Sequence, residues 1–252
     1  MALYRTEAVV LRTRNLGEAD KILTLFSDKR GKIRAVARGS RRPRNHLMGV
    51  SQPFTYGSFL IFKGKNLDSV SQGSIIDAQV YLREDLLKMA HASYIVELVD
   101  RLTEEYDPNQ ELFELLIAVL NEMQVDGLES KLTRFFELHF LRLIGIEPQL
   151  LRCVGCDNPM EPGEERLRFS VREGGILCPT CHESRTDALP LSKGAYRVMR
   201  WMATADLRRL RILQIPPPVD AEIEKMLQNF ITFHLERPLR SVEFLHTIRG
   251  TS

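Results

Sequence analysis

The 252-residue chain holds only four cysteines, a net charge of +2 and no long apolar run, and each shortage removes a class of protein. A membrane helix needs roughly 18 or more apolar residues in succession, and no window approaches that. The stretch from Met1 to Asn15 mixes charged with apolar residues and lacks the apolar core of a secretory signal, so a cytoplasmic location is expected. In a reducing compartment, four cysteines arranged as two pairs point to a metal ion before disulfides. Catalytic motifs are missing as well. Gly57 and Gly64 stand too far apart for a phosphate-cradling loop, and Lys65 is followed by Asn66 where that loop needs Ser or Thr. There is no G-x-S-x-G elbow and no H-E-x-x-H pair. The six histidines are scattered; His139 and His234 fall on apolar helical faces and read as core. Glu18, Asp20 and Asp28 form no fixed carboxylate cluster and read as turn and surface residues. No enzymatic activity is expected.

What the chain does have is an uneven distribution of charge. Residues 1–80 carry 14 Lys or Arg against 6 Asp or Glu, whereas the remaining 172 carry 21 against 27. The basic excess is sharpest from Gly31 to Asn45, which bears Lys32, Arg34, Arg38, Arg41, Arg42 and Arg44 and no acid. Alternating apolar and basic positions run there into a loop punctuated by Gly39, Ser40 and Pro43, as if a strand delivered guanidinium groups to solvent. Phosphate is the natural partner of such a loop; a solvated charged loop or a protein-binding patch are the plainer readings. With Arg12 and Arg14 added, these side chains are the candidate nucleic-acid contacts, of high salt dependence and little sequence preference. Tyr56, Phe59 and Phe62 would stack on bases if they faced outward, although their spacing by three places at least one of them in the core. A second basic surface, Arg197, Arg200, Arg208 and Arg211 beside Trp201, would extend a nucleic-acid path or receive an acidic peptide, unless it is an ordinary solvated helix face.

Patterning divides the chain near residue 80. Short β-branched and aromatic runs at Leu3 to Arg14, Lys21 to Phe26, Lys32 to Arg38, Pro53 to Phe62 and Leu67 to Ile76 predict five strands, of a size suiting an oligonucleotide-binding (OB) barrel or, less closely, an SH3-like one. The period then lengthens to about 3.6. Stripes at Leu87, Ala90, Tyr94, Leu98 and Leu102, at Leu112, Leu116, Val119 and Met123, and at Leu132, Phe135, Phe136, Phe140, Leu143 and Ile144 predict helices, the third closed by Gly145 in a left-handed cap. Ser192 can cap a helix holding Val198, Met199 and Met202. Pro216, Pro217 and Pro218 break the chain, and Asp220 caps a last long helix that stops at Arg237-Pro238. The predicted fold class is α+β: an OB-type barrel over residues 1–80, then an all-α domain over 81–150 and 186–252, with a cysteine-rich insertion over 151–185.

Cys153-Val154-Gly155-Cys156 and Cys178-Pro179-Thr180-Cys181 are two C-x2-C knuckles separated by 21 residues. Each offers two thiolates from one turn, as tetrahedral zinc requires, and four ligands leave no position for a reactive water, so a structural zinc is expected. A pair of redox dithiols is the alternative, but neither pair follows a strand into a helix in a βαβ pattern. His182 and Glu183 are adjacent and do not form the His-x-Glu of a zinc deaminase.

Further motifs recur in a fixed order: Gly17-Glu18-Ala19-Asp20-Lys21-Ile22 with Leu25-Phe26; Gly31-Lys32 on to Ala37-Arg38-Gly39-Ser40-Arg41-Arg42-Pro43; and Gln52-Pro53-Phe54. Arg134-Phe135-Phe136-Glu137-Leu138, Leu143-Ile144-Gly145, Pro148, the cysteine quartet and Arg237-Pro238-Leu239-Arg240-Ser241 follow. In order and spacing the chain resembles, over nearly its whole length, the RecO family of bacterial recombination-mediator and DNA-repair proteins. The resemblance implies a non-enzymatic protein that binds single- and double-stranded DNA, anneals complementary strands, and works with RecR to load RecA onto strands coated by single-strand-binding protein. It implies DNA contacts on the Gly31 to Arg44 motif, a site in the helical domain for the acidic C-terminal tail of single-strand-binding protein, and zinc in a stabilising role. A protein-binding adaptor and a zinc-dependent nucleic-acid hydrolase are the competing functions.

Overall fold

The computed structural model describes residues 2–161, 167–183, 185, 188–235 and 237–250. Its chain forms two compact units, Met1–Asp126 with Leu239–Ser252, and Gly127–Pro238.

In the first unit five strands close into a barrel in the order β1-β2-β3-β5-β4, as expected. They are β1 (Leu3–Leu16), β2 (Asp20–Ser27), β3 (Gly31–Ala37), β4 (Tyr56–Phe62) and β5 (Asp68–Asp77). All neighbours pair antiparallel except β3 and β5, which meet in parallel at Ala35 and Asp68. Alternation puts Ile33, Ala35 and Ala37 inside, with Leu23, Leu25, Phe59 and Ile61 from the neighbouring strands. A one-turn helix, α1 (Leu47–Val50), closes one end by driving Leu47 and Val50 into that core. In β1 the pairing with β2 slips at a bulge between Val10 and Arg12. Val10 points inward, and strict alternation would send Arg12 and Arg14 after it. The extra residue reverses the face, so both arginines emerge outside.

Besides α1, four described helices belong to the same unit: α2 (Tyr81–Glu84), α3 (Leu86–Leu102), α4 (Gln110–Glu122) and, from the far end of the chain, α9 (Arg240–Gly250). The helical stripes are therefore real, but the boundary expected at residue 80 is not where the units part. Packing decides this. Phe113 of α4 meets Phe26 and Tyr56 of the barrel at centroid separations of 6.5 and 6.0 Å. α3 buries Ala92, Ile95, Val96 and Val99 as well as Ala90, Tyr94 and Leu98, because it touches both β1 and α9. Glu97 of α3 accepts from the amides of Arg240 (3.1 Å) and Ser241 (2.8 Å), placing a carboxylate at the start of α9, where the helix dipole favours one.

The second unit is not all-helical. It holds α5 (Glu129–Leu143), α6 (Pro179–His182), α7 (Lys193–Met202), a 3-10 turn over Leu207–Ile212 and α8 (Pro217–Phe233), together with a three-stranded antiparallel sheet in the order β7-β6-β8. That sheet, β6 (Leu167–Ser170), β7 (Gly175–Leu177) and β8 (Leu189–Leu191), occupies the cysteine-rich segment expected to lack periodic structure. Strands of three or four residues are too short to show a period. Pro216 to Pro218 do not break the chain but start α8, since the first helical positions have no amide bond to lose. Asp220 thus lies in its first turn. The caps expected at Gly145, with φ +81°, and Ser192, which accepts from the Ala195 amide at 3.1 Å, are present. His139 is partly buried with Nε2 2.9 Å from the Met202 carbonyl, and burial lowers its pKa. His234 stands at the surface, its ring edge-on to Phe230 at 4.8 Å.

At the β2–β3 turn Gly31 has φ +62°, and a Cβ there would fall 1.9 Å from the Asp107 carbonyl oxygen. Gly31→Ala is expected to destabilise the first unit by about 2 kcal/mol or more, left-handed strain adding to a backbone clash; a urea midpoint like that of the parent protein would contradict this.

Candidate nucleic-acid interface and metal centre

After β3 leaves the barrel, residues 38–46 turn back over the β1–β2 hairpin and are fixed to it. The Gly39 amide donates to the Asp20 carboxylate (2.7 Å), the Arg41 amide to the Ala19 carbonyl (2.9 Å), and Arg41 Nη1 to the Gly17 carbonyl (2.9 Å). Within the loop, Ser40 Oγ donates to the Ala37 carbonyl at 2.8 Å, and Asn45 Oδ1 accepts from the Leu47 amide at 2.8 Å. Gly39, at φ +68°, has no room for a Cβ, which would meet Asn45 Nδ2 at 2.7 Å. Asp20, read from the sequence as a surface residue, is thus the anchor of the loop. Its aspartate was visible; its partner lies 19 residues on and was not.

On this rigid base Arg38, Arg41, Arg42 and Arg44 are all exposed, with Arg14 on the adjoining strand. Among the described residues none of the five forms an ion pair. Lys21, which the sequence reading passed over, joins them. Burial lowers its pKa, and the positive charge of Arg41 lowers it further, a sign of cations held close together without counter-charge.

The other three candidates are differently placed. Lys32 is turned inward, its side chain 12% exposed, and its ammonium donates to the carbonyls of Asp100 and Thr103 at the end of α3, 3.9 Å from the Asp100 carboxylate. Burial lowers its pKa in spite of the neighbouring acids. Arg12 pairs with Asp100 at 3.1 Å and Arg34 with Glu105 at 2.7 Å. The charge on this outer face of β1–β3 is compensated from within, so the uncompensated basic surface is narrower than the sequence suggests. Of the aromatic candidates, Phe59 is core, Tyr56 is half-buried against Phe113, and Phe62 alone is exposed.

In the second unit the basic stripe also divides. Arg200 points inward, donating to the Met160 carbonyl (2.8 Å) and the Tyr196 hydroxyl (3.1 Å). Arg197, Arg208 and Arg211 are exposed, and the guanidinium over the Trp201 ring is that of Arg209, 5.5 Å from its centroid.

The four cysteines do converge. The Sγ atoms of Cys153, Cys156, Cys178 and Cys181 all lie within 4.8 Å of one another, a spacing that a single metal ion can span. The amides of Gly155 (3.4 Å) and Cys178 (3.3 Å) donate to the Cys153 sulfur. Burial raises the Cys153 pKa, but these and the Cys156 amide outweigh it and hold the thiol down to about 7. Hydrogen bonding among the sulfurs pushes Cys181 up to about 12, as expected where four thiols crowd together. Gly155 allows the approach: a Cβ there would stand 2.9 Å from Cys181 Cβ and 3.0 Å from its sulfur.

Two family models match the chain, one described as the N-terminal part of recombination protein O, over residues 1–79, and one as its C-terminal part, over 83–243. The DNA repair protein RecO of Symbiobacterium thermophilum is 39% identical over 251 residues, covering 99% of both chains. That of Desulforamulus reducens is 35% identical over 258 residues and 100% of both chains. The chain belongs to the RecO family. The Bacillus subtilis member is 35% identical over 243 residues, 96% of this chain and 94% of its own. The expected DNA-repair family, with its barrel, helices and cysteine cluster, is therefore established, and among the described residues no helix is long and apolar enough to cross a membrane.

Widening residue 155 tests the cysteine geometry. Gly155→Val is expected to displace the Cys181 sulfur and weaken metal binding by a factor of about ten or more, since every ligand position counts in a closed site; competition against a chromophoric chelator measures it, and an unchanged affinity would contradict the arrangement.

Proposed function

We propose that this RecO-family chain is a non-enzymatic DNA-binding protein of recombinational repair. In this reading it binds single- and double-stranded DNA, anneals complementary strands and, with RecR, helps load recombinase onto strands coated by single-strand-binding protein, in the cytoplasm. The observation that carries it is the loop of Arg38, Arg41, Arg42 and Arg44, fixed to the β1–β2 hairpin and free of ion pairs among the described residues. A loop whose main chain is already anchored to the hairpin presents its guanidinium groups without first having to be ordered, and releasing counterions from the polyanion supplies the driving force. Annealing then needs no nucleotide: screening two backbones removes the repulsion that slows their encounter, and base pairing supplies the free energy. The exposed arginines beside Trp201 suit an acidic peptide, which supports the second unit as the site for the tail of single-strand-binding protein.

Charge reversal at Arg38, Arg41 and Arg42 together is expected to weaken single-strand binding by at least tenfold at low salt and to flatten its salt dependence by about two logarithmic units, at roughly 0.7 per phosphate contact. An unchanged affinity in that variant would remove the proposal, and failure of the parent protein to bind any nucleic acid would favour a protein-binding adaptor.

In the same reading the cysteine quartet holds zinc in a structural role. Its support is the all-sulfur donor set and the four-fold closure, which leaves no place for a reactive water. One zinc per chain is expected by metal analysis, with chelation raising amide exchange in β6 and β7 while DNA affinity stays within about twofold, since structural zinc acts through folding; loss of DNA binding in parallel with the metal would contradict that division.

A further inference from the structure

A second cluster of cations and rings sits at the other end of the barrel. β3 runs from Gly31 to Ala37, so Arg30 and Arg38 lie at opposite ends of it, roughly 25 Å apart at about 3.3 Å per residue. Near Arg30, β1 begins beside the end of β4: Leu3 pairs with Phe62, and the Lys63 amide donates to the Ala2 carbonyl at 2.9 Å. The Arg30 guanidinium lies 4.0 Å over the Tyr4 ring and the Lys63 ammonium 5.8 Å from the Tyr106 centroid. Phe62 and Tyr106 are 40% and 46% exposed, and Arg5 and Lys65 are exposed beside them. Among the described residues Arg5, Arg30, Lys63 and Lys65 form no ion pair. The acid at their centre, Asp68, is buried and occupied by the Tyr4 hydroxyl and the Gly64 amide. Tyr106 is held outward by a left-handed backbone, φ +61°, whose amide donates to the Lys32 carbonyl at 3.0 Å.

We propose that this end of the barrel is a separate binding site for a second single strand of nucleic acid, with bases on Phe62 and Tyr106 and phosphates on Lys63, Lys65 and Arg5. The inference rests on the DNA-binding reading above and adds a place for the second strand to it. Exposed rings interleaved with cations bind single strands without regard to sequence, because every base presents a π-face and every linkage a phosphate. One strand running straight from the arginine loop is a poor alternative. Between the two ends the outer face of β1–β3 is occupied by the end of α3, and Asp100 and Glu105 already hold its cations. Glu104 and Asp107, which flank Tyr106 in the chain, limit the site on their side and leave the path over Phe62 and Lys63. Two sites on one rigid barrel would bring two strands together on a single protein.

The test counts strands. With an oligonucleotide of about four nucleotides, at the lower end of site sizes for such barrels, the parent chain is expected to bind two and K63E/K65E one, as R41E/R42E also does. Annealing of complementary strands by K63E/K65E is expected to slow about tenfold while affinity for the first strand stays within twofold. F62A, which keeps the charge and removes a ring, is expected to lower the second affinity alone, and circular dichroism confirms the fold of each variant. A K63E/K65E chain that still takes up two strands and anneals within twofold of the parent overturns the inference. A parent chain that binds one strand, lost in R41E/R42E, overturns the inference and leaves the DNA-binding reading standing; a parent chain that binds none removes that reading itself.

Discussion

The ammonium of Lys32, buried against the last carbonyls of α3, sets how charge is distributed over the first unit. A helix C-terminus leaves carbonyls without partners and carries the negative end of the dipole, and a cation is the strongest group that can close it. Here the cation comes from a barrel strand, so α3 is fixed to the outer face of β3 by a bond between elements 68 residues apart. Asp100 and Glu105 arrive with the helix end and neutralise Arg12 and Arg34. What began as a uniformly basic barrel becomes one with a compensated flank and two uncompensated ends. The cations at those ends form no ion pair among the described residues, because the nearby acids are engaged elsewhere, Asp20 by the Gly39 amide and Asp68 by the Tyr4 hydroxyl and the Gly64 amide.

The second unit solves a different problem. Its cysteine-bearing segment has strands of only three or four residues, which bury Leu167, Phe169, Ile176, Leu177 and Leu191 but pair over a short length, so backbone pairing alone would hold it weakly. Four sulfurs drawn from the turn before β6 and the turn after β7 lie within 4.8 Å of one another, a spacing at which one metal ion would join the two turns. Elsewhere in the unit Arg134 is fully buried beside Glu137 (3.0 Å) and Glu224 (3.6 Å), tying α5 to α8 through charge. Such a group costs stability if one partner is removed, which makes it a determinant of register more than a source of stability.

The barrel was legible in the sequence because its information is local. Ile33, Ala35 and Ala37 alternate with basic residues, and a period of two needs no distant partner to be read. The cysteine knuckles were legible for the same reason, since a metal dictates spacing. The rest depended on pairings that no window contains. Arg12 and Arg14 keep the outward side expected of them only through the bulge after Val10, which no local pattern shows. Lys32 reads as a surface cation until the end of α3 arrives beside it. The compact units do not follow the change of patterning near residue 80, because α9 returns to α3, with Glu97 capping a helix that starts 143 residues later. Pro216 to Pro218 read as a break in the sequence because proline ends and begins helices alike, and here they begin one.

On the proposed reading, in which two polyanions are brought together on one protein, the surface faces opposing requirements. It has to carry enough positive charge to screen both backbones, yet a barrel of about 80 residues with all of that charge on one face would repel itself as it folded. Compensating the middle of the face from α3, and leaving cations at the two ends, keeps like charges apart by the length of a strand, beyond the roughly 8 Å over which physiological salt lets exposed charges interact. The same separation keeps two bound backbones from repelling each other strongly while both are held. The charge compensated within the fold and the charge left uncompensated are thereby assigned to different residues along one strand: Lys32 and Arg34 within β3, Arg30 before it and Arg38 after it.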